Sequence, residues 1–78
     1  MLAEGYLLVV VTPWADISVD GVPRGETPLK AFPLAPGPHA VLLTNPLYQP
    51  YRRRVIIRSG ETFRLNVDLP HEGVRQSP

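Results

Sequence analysis

Apolar and polar side chains alternate along most of this chain with a period of two. Between residues 15 and 20, for example, Ala15, Ile17 and Val19 are separated by polar neighbours. This is the period of a β-strand with one buried face. The pattern predicts strands near residues 5–12, 15–20, 27–34, 38–44, 52–58 and 62–69, the third of them interrupted. Six or seven short strands predict an all-β fold, a small antiparallel β-sandwich with no long helix.

Prolines and glycines mark the ends of these segments. The chain has ten prolines, and its longest stretch without one is residues 51–69. Because a proline inside a helix costs about 3 kcal/mol, we do not expect long helices. Residues 22–30 contain Pro23 and Pro28, so we expect a loop followed by a short edge strand there, where missing amide donors are tolerated.

Three turns are suggested by residue type. Asp20-Gly21 is a strong hairpin signal, since a tight primed turn needs positive φ. Pro36-Gly37 fits a type II turn, which would pair Leu34 with His39 and Phe32 with Val41. A three-residue loop at 59–61 would close a last hairpin with Ile57 opposite Phe63, which keeps the apolar side chains of both strands on one face. Around Ile56 on the opposite face, this register predicts a group of arginines: Arg54, Arg58 and Arg64.

Length and composition narrow the class of protein. Seventy-eight residues with a formal charge of +1 allow one small domain and show no general basic footprint for nucleic acid or membrane. With no cysteine, there is no disulfide framework and no thiolate site. We place the domain at residues 1–69 and expect residues 70–78 to form a disordered polar tail or linker. No segment has the pattern of a signal peptide or of a transmembrane span.

Candidate catalytic chemistry is sparse. No nucleotide-binding or nucleophile-elbow motif is present, and nothing in the sequence brings a serine, a histidine and an aspartate together. Asp16, Asp20 and Glu26 form the one acidic cluster near a loop, which is thin evidence for a cation site. His39 is expected at the rim of the core, hydrogen-bonded to a backbone group. We therefore expect a non-enzymatic domain without catalytic residues, cofactor or metal.

The candidate binding face consists of one tryptophan and arginines from the basic run at residues 52–54 and its surroundings. Arg54, Arg58 and Arg64 could attract phosphate, an acidic polymer or an acidic partner, or could simply keep an exposed sheet soluble. Trp14 follows Pro13 at a corner between strands. Its ring either caps one end of the core or stacks on a sugar or a partner's proline. No aromatic residue is interleaved with the arginines, which argues against nucleic acid.

The order of the turn residues resembles the PEGA domain family. The resemblance covers residues 5–69 and rests on the segments Thr12-Pro13-Trp14-Ala15, Val19-Asp20-Gly21, Gly25-x-Thr27-Pro28-Leu29, Pro36-Gly37-x-His39, Asn45-Pro46 and Gly60-Glu61. The family is named after Pro-Glu-Gly-Ala, whereas this chain has the shorter Pro13-Trp14-Ala15. That form is similar to domains at the C-terminal ends of bacterial membrane-bound serine/threonine kinases.

The resemblance implies a prealbumin-like β-sandwich that serves as a non-catalytic accessory module of a larger bacterial surface or signalling protein. Such a module would act as a spacer or would bind a protein or an envelope polymer. The resemblance also favours an extracytoplasmic location, with any membrane attachment supplied by a parent chain. The alternative is an anion-binding module whose arginine face holds an acidic glycan or nucleic acid. Weak self-association through an edge strand, 5–12 or 22–30, is a further expectation.

Overall fold

The computed structural model describes residues 3–76 and contains seven strands in two sheets. The elements are β1 Gly5–Thr12, β2 Asp16–Val19, β3 Val22–Glu26, β4 Phe32–Leu34, β5 Gly37–Asn45, β6 Tyr48–Ile57, β7 Thr62–Asp68 and the short helix α1 Leu69–Glu72. One sheet has the order β4-β1-β7 and the other β3-β2-β5-β6. The prediction of a small all-β sandwich without a long helix is confirmed. Within the described part of the chain, no helix is long and apolar enough to cross a bilayer.

The core lies between the two sheets and is built from alternate residues of their strands. In β1, for instance, Leu7, Val9 and Val11 are buried while the residues between them are partly or fully exposed. All the strands except β3 contribute, and Ala15 and Leu69 add to them from the connecting segments. The buried hydrophobic residues are Leu7, Val9, Val11, Ala15, Ile17, Val19, Leu34, Val41, Leu43, Tyr48, Val55, Ile57, Leu65, Val67 and Leu69.

The Asp20-Gly21 hairpin forms as predicted. Both residues have positive φ, 52° and 80°, as a primed two-residue turn requires. The strand that follows differs from the prediction, because residues 22–26 form β3 rather than a loop. All five of its residues are exposed, and the pairing with β2 is shifted by a bulge. Strand β3 is therefore an edge strand whose side chains the core pattern does not constrain.

The predicted hairpin around Pro36-Gly37 is wrong. Strand β4 pairs with β1, so that Leu34 lies opposite Gly5. Strand β5 pairs with β2 and β6 in the other sheet, where His39 lies opposite Val55. The segment between Leu34 and Gly37 therefore carries the chain from one sheet to the other. Leu34 and Val41 do share the core, but they meet it from opposite sheets.

The predicted hairpin at 59–61 is wrong for the same reason. Strand β6 pairs with β5, whereas β7 runs parallel to β1, with Leu65 opposite Val9. The sandwich is therefore not wholly antiparallel. Positive φ at Gly60, 75°, serves a turn between sheets instead of a turn within one.

The C-terminal segment is ordered beyond the predicted end of the domain. After α1, the backbone N–H of Gln49 donates to the Val74 carbonyl at 2.7 Å, and that of Gln76 donates to the Leu47 carbonyl at 3.1 Å. The expected disordered tail from residue 70 is thus replaced, as far as residue 76, by a segment that packs beside the start of β6. Residues 77 and 78 lie outside the described residues.

The inward and outward alternation of β6 is testable with one substitution at two neighbouring positions. Ile57 is 2% exposed and Ile56 is 52% exposed. Ile57→Val should lower the free energy of unfolding by about 0.5–1.5 kcal/mol, because it removes a packed methylene. Ile56→Val should change it by less than about 0.5 kcal/mol. Urea unfolding of the two variants measures the difference, and equal losses would contradict this orientation of β6.

Candidate binding surface

The corner between β1 and β2 is held by two buried polar side chains. Thr27 Oγ1 accepts a hydrogen bond from the Ala15 amide at 2.9 Å, while the Thr27 amide donates to the Ala15 carbonyl at 2.8 Å. Asn45 Nδ2 donates to the Trp14 carbonyl at 2.9 Å, and its Oδ1 accepts from the Leu47 amide at 2.8 Å. Thr27 and Asn45 are the two buried polar residues among those described, and both are used by the scaffold.

Asp20 and His39 form a second polar cluster at the opposite end of β2. One Asp20 carboxylate oxygen accepts from the Ala40 amide at 2.8 Å, and the other lies 2.5 Å from His39 Nδ1. His39 Nε2 lies 2.6 Å from the Ala35 carbonyl. Since both partners of the ring are acceptors, the imidazole makes both hydrogen bonds only when both of its nitrogens are protonated. The prediction of a histidine hydrogen-bonded to a backbone group is confirmed, and its pairing with Asp20 is a finding of the structure.

These contacts move the pKa values of Asp20 and His39 further apart. The Ala40 amide, and then the His39 ring, hold the pKa of Asp20 below its ordinary 3.8. The bond to the Ala35 carbonyl, with a further contribution from Asp20, raises the pKa of His39 above its ordinary 6.5, although burial acts in the opposite direction. The pair is therefore stabilised in its ionised form.

A groove of about 500 Å³ runs across the outer face of the four-stranded sheet. We name it the arginine groove. Its floor includes Ser18 of β2 and Leu42 of β5, which lie opposite each other, and Asp20 and His39 line it at the turn end. Along the β6 side it is lined by Arg52, Arg53 and Arg54. Because Arg52 pairs with Leu42 and Arg54 with Ala40, both arginines share the outer face with these positions.

The structure does not bring Arg54, Arg58 and Arg64 to one sheet face. Arg54 lies on β6 in the arginine groove, whereas Arg64 lies on β7 in the other sheet and donates from Nε to Asn66 Oδ1 at 3.2 Å. Arg58 follows β6 and lines a separate small pocket. The predicted common face depended on the β6–β7 hairpin, which does not form. The basic run at residues 52–54 does line the groove, and Arg52, which the predicted group of three arginines leaves out, shares the face of Arg54, as their spacing of two residues already indicates.

Trp14 lies at the β1–β2 corner and is half-buried. Among the described residues, the partly buried hydrophobic side chains that pack against the core are Leu29, Phe32, Tyr51 and Phe63. The Trp14 ring is not among them, and both of its predicted roles, a cap of the core or a stacking surface for a sugar or a partner's proline, stay predictions. The Trp14 carbonyl accepts a hydrogen bond from Asn45 Nδ2, which fixes the backbone of the corner.

The arginine groove contains a serine, a histidine and an aspartate, but their arrangement is not that of a catalytic triad. With Asp20 on Nδ1, the nitrogen that would take the proton from Ser18 is Nε2, and Nε2 is bonded to the Ala35 carbonyl. The acidic cluster is dispersed as well: Asp16 and Glu26 oppose each other on β2 and β3, while Asp20 is bound to Ala40 and His39. Within residues 3–76, no group of three potential ligands is placed to hold a metal ion.

The fold and the site together define a small β-sandwich module whose buried polar side chains are used to hold turns and corners. The model of the PEGA domain matches residues 11–72, and the chain belongs to this family. The family is one of small accessory domains not known for catalysis. No curated protein matches the chain.

The Asp20–His39 pair should make stability depend on pH. A raised histidine pKa contributes stability that is complete below 6.5 and is lost as the pH rises through the folded-state value. A lowered aspartate pKa contributes stability that is present above 3.8 and is lost as the pH falls through its folded-state value. The free energy of unfolding should therefore decrease from about pH 5 to about pH 9, and less so in His39→Gln. Urea unfolding at both pH values measures this difference.

His71→Gln is the matched control, because His71 Nδ1 also lies 2.7 Å from a carboxylate oxygen, that of Asp68, but the two side chains are 82% and 47% exposed, and exposed pairs contribute little to stability. It should keep the pH dependence of the wild type. A His39→Gln variant whose unfolding free energy follows the wild type over the same pH range would show that the pair contributes nothing to folding.

Proposed function

We propose that this PEGA domain is a non-catalytic accessory module of a larger bacterial surface or signalling protein, and that it holds neighbouring domains apart at a fixed distance and orientation. The observation that carries this proposal is the parallel pairing of β1 and β7. Tyr6 lies opposite Thr62 and Thr12 lies opposite Asp68. Parallel neighbours place the start of the first strand and the end of the last strand at opposite ends of a sheet.

A polypeptide that continues on both sides of the domain would enter at one end and leave at the other. The molecule is elongated along one axis, with extents of 49, 19 and 19 Å. Antiparallel neighbours would instead have returned the chain to the end at which it entered. The topology therefore supports an in-line module whose long axis adds to the separation of its neighbours.

Both ends are also fastened to the sandwich. At the entry, the Gly60 amide donates to the Glu4 carbonyl at 3.0 Å. At the exit, the backbone of Arg75 forms an isolated antiparallel β-bridge with Tyr48. The guanidinium of Arg75 lies over the Tyr48 ring, 5.9 Å from its centroid. These contacts would limit rotation of the flanking chain relative to the domain, which a spacer of fixed orientation requires.

The setting of the parent protein is part of the proposal. The Pro13-Trp14-Ala15 form of the family motif supports an extracytoplasmic position within a membrane-bound serine/threonine kinase of bacterial origin. In that setting the spacer would hold a sensing surface away from the membrane. A binding role toward a protein or an envelope polymer is compatible with the same arrangement.

The opposite placement of the two ends can be measured directly. The chain has no cysteine, so pairs of engineered cysteines can be spin-labelled selectively. The pair Glu4→Cys and Val74→Cys should give a narrow distribution centred on a long distance between the labels, as measured by pulsed electron paramagnetic resonance. The control pair is Glu4→Cys with Ser59→Cys, which should give a short distance, because Glu4 is hydrogen-bonded to the residue after Ser59. Similar distances for the two pairs, or a broad distribution for the first, would refute a rigid in-line spacer.

A second candidate function is anion binding in the arginine groove. Arg52 and Arg54 lie side by side on its β6 wall, and the carboxylate of Asp20 is neutralised by His39. The groove thus carries excess positive charge above a partly apolar floor. Guanidinium groups of this kind bind carboxylate and phosphate oxygens, which supports an acidic glycan as ligand and, more weakly, nucleic acid.

This alternative predicts binding of an anionic polysaccharide such as alginate. The logarithm of the binding constant should fall linearly with the logarithm of the salt concentration. Replacing both Arg52 and Arg54 with glutamine should reduce the affinity at least about tenfold and should flatten the salt dependence. Arg64→Gln, on the other sheet, is the matched control and should leave both unchanged. Isothermal titration at low salt measures the affinities, and no detectable binding by the wild type would exclude the alternative.

A further inference from the structure

One side of β1 is only partly covered by its neighbouring strand. On that side, β4 pairs with the residues from Gly5 to Leu7 and then diverges. On the other side, β7 accompanies β1 from Tyr6 to Thr12. Residues 8–12 of β1 therefore have a strand neighbour on one side alone, and we name their uncovered side the β1 open edge.

The direction of the backbone groups along β1 can be deduced from one hydrogen bond. The Tyr6 amide donates to the Glu61 carbonyl at 2.8 Å, so Tyr6 points its backbone groups toward β7. Successive residues of a strand direct these groups to alternate sides. Val9 and Val11 therefore direct their N–H and C=O groups to the β1 open edge. No backbone hydrogen bond within residues 3–76 engages them there.

Val9 and Val11 are nevertheless among the buried residues, with exposures of 3% and 8%. Backbone polar groups in buried residues are nearly always hydrogen-bonded, because leaving them unpaired is costly. At this edge they face a groove of about 400 Å³ lined by residues 8–11, Pro13 and residues 27–29. None of the lining residues is charged, and the Thr27 hydroxyl is already occupied by the Ala15 amide.

Two other strand edges of the sandwich, those of β3 and β4, are protected in ways that this one is not. Strand β3 carries Pro23, Arg24 and a bulge, and β4 carries Pro33. Prolines, charges and bulges are the usual means by which proteins prevent strand addition. The β1 open edge has apolar side chains, a straight register with β7 and regularly spaced backbone donors and acceptors.

We propose that the β1 open edge is a docking site for an extended segment of a partner protein, about four or five residues long with uncharged side chains, which adds a strand beside β1. A strand is the occupant that supplies both N–H and C=O groups at the spacing of Val9 and Val11. Residues 8–12 span about 16 Å at about 3.3 Å each, which sets the length of the segment. The uncharged lining sets the chemistry of its side chains.

A single segment fits this place better than the edge of a second copy. The groove is bounded by β4 at one end and by residues 27–29 along its side. A second sandwich would bring its own copies of both features into the same space. The site goes beyond the spacing role and does not depend on it, since a domain can hold its neighbours apart without it.

The free domain already offers one test. By amide hydrogen exchange, Val9 and Val11 should exchange faster than Leu8 and Val10, although Leu8 and Val10 are the more exposed residues. Of these four residues, Leu8 and Val10 are the ones whose amides point toward β7. Slow exchange at Val9 and Val11 at all protein concentrations would show that their amides already have partners, and would overturn the proposal.

The second test adds a probe peptide of five alternating threonine and valine residues with two lysines at each end. In two-dimensional NMR it should shift the Val9 and Val11 amides saturably and slow their exchange at least tenfold. The same peptide with alternate backbone nitrogens methylated is the control and should not bind, since it has lost its donors. Equal binding of the two peptides, binding that maps elsewhere, or no saturable binding at millimolar peptide would each overturn the proposal.

A pair of matched variants locates the site. Val10→Lys places a charge on the lining of the groove, whereas Val22→Lys makes the same change on β3; the two valines are 39% and 52% exposed. Val10→Lys should weaken the peptide at least tenfold and Val22→Lys should not. Protection of Val9 and Val11 that rises with protein concentration in the absence of peptide would identify a second copy as the occupant, and would overturn the proposal of a partner segment.

Discussion

The fold depends on how the chain leaves one sheet and enters the other between Thr12 and Asp16. A backbone that turns inside a core loses its strand partners, and its peptide groups must find others. Thr27 is the hydrogen-bond partner of both the amide and the carbonyl of Ala15, and the Asn45 side chain is the partner of the Trp14 carbonyl. Because Thr27 follows β3 and Asn45 ends β5, the two side chains tie the corner to the edge and to the middle of the four-stranded sheet. Thr27 and Asn45, two of the turn residues on which the resemblance to the family rests, thus fix the corner through which the chain passes from one sheet to the other.

The sequence was sufficient to predict the strands, the buried side of most of them and the hairpin at Asp20-Gly21. It was insufficient to predict which strands pair. Leu34 and Val41 are both buried, and so are Val55 and Leu65, yet each pair approaches the core from different sheets. The alternation of apolar and polar residues shows which side chains face the core. The same alternation is expected whether two strands are neighbours in one sheet or lie in opposite sheets across the core. A glycine with positive φ is equally consistent with either connection.

The candidate site was limited by the same ambiguity. Once β6 and β7 belong to different sheets, Arg54 and Arg64 can no longer share a face, and the arginine groove is formed instead with Arg52 and the Asp20–His39 pair. That pair joins residues nineteen positions apart, and no local pattern connects them. The open edge of β1 could not be predicted from the sequence either. It exists because β4 has only three residues, which are too few to show alternation.

The parallel arrangement of β1 and β7 also determines how the domain would respond to tension. If its two flanking segments are pulled apart, β1 is drawn toward its own beginning and β7 toward its own end, so the two strands slide along each other. The rungs of the ladder from Tyr6–Thr62 to Thr12–Asp68 would then be loaded together and not opened one after another. Resistance to such shear is set by the barrier to unfolding and not by the equilibrium stability. A domain of modest stability with this topology could therefore withstand mechanical stress out of proportion to its size.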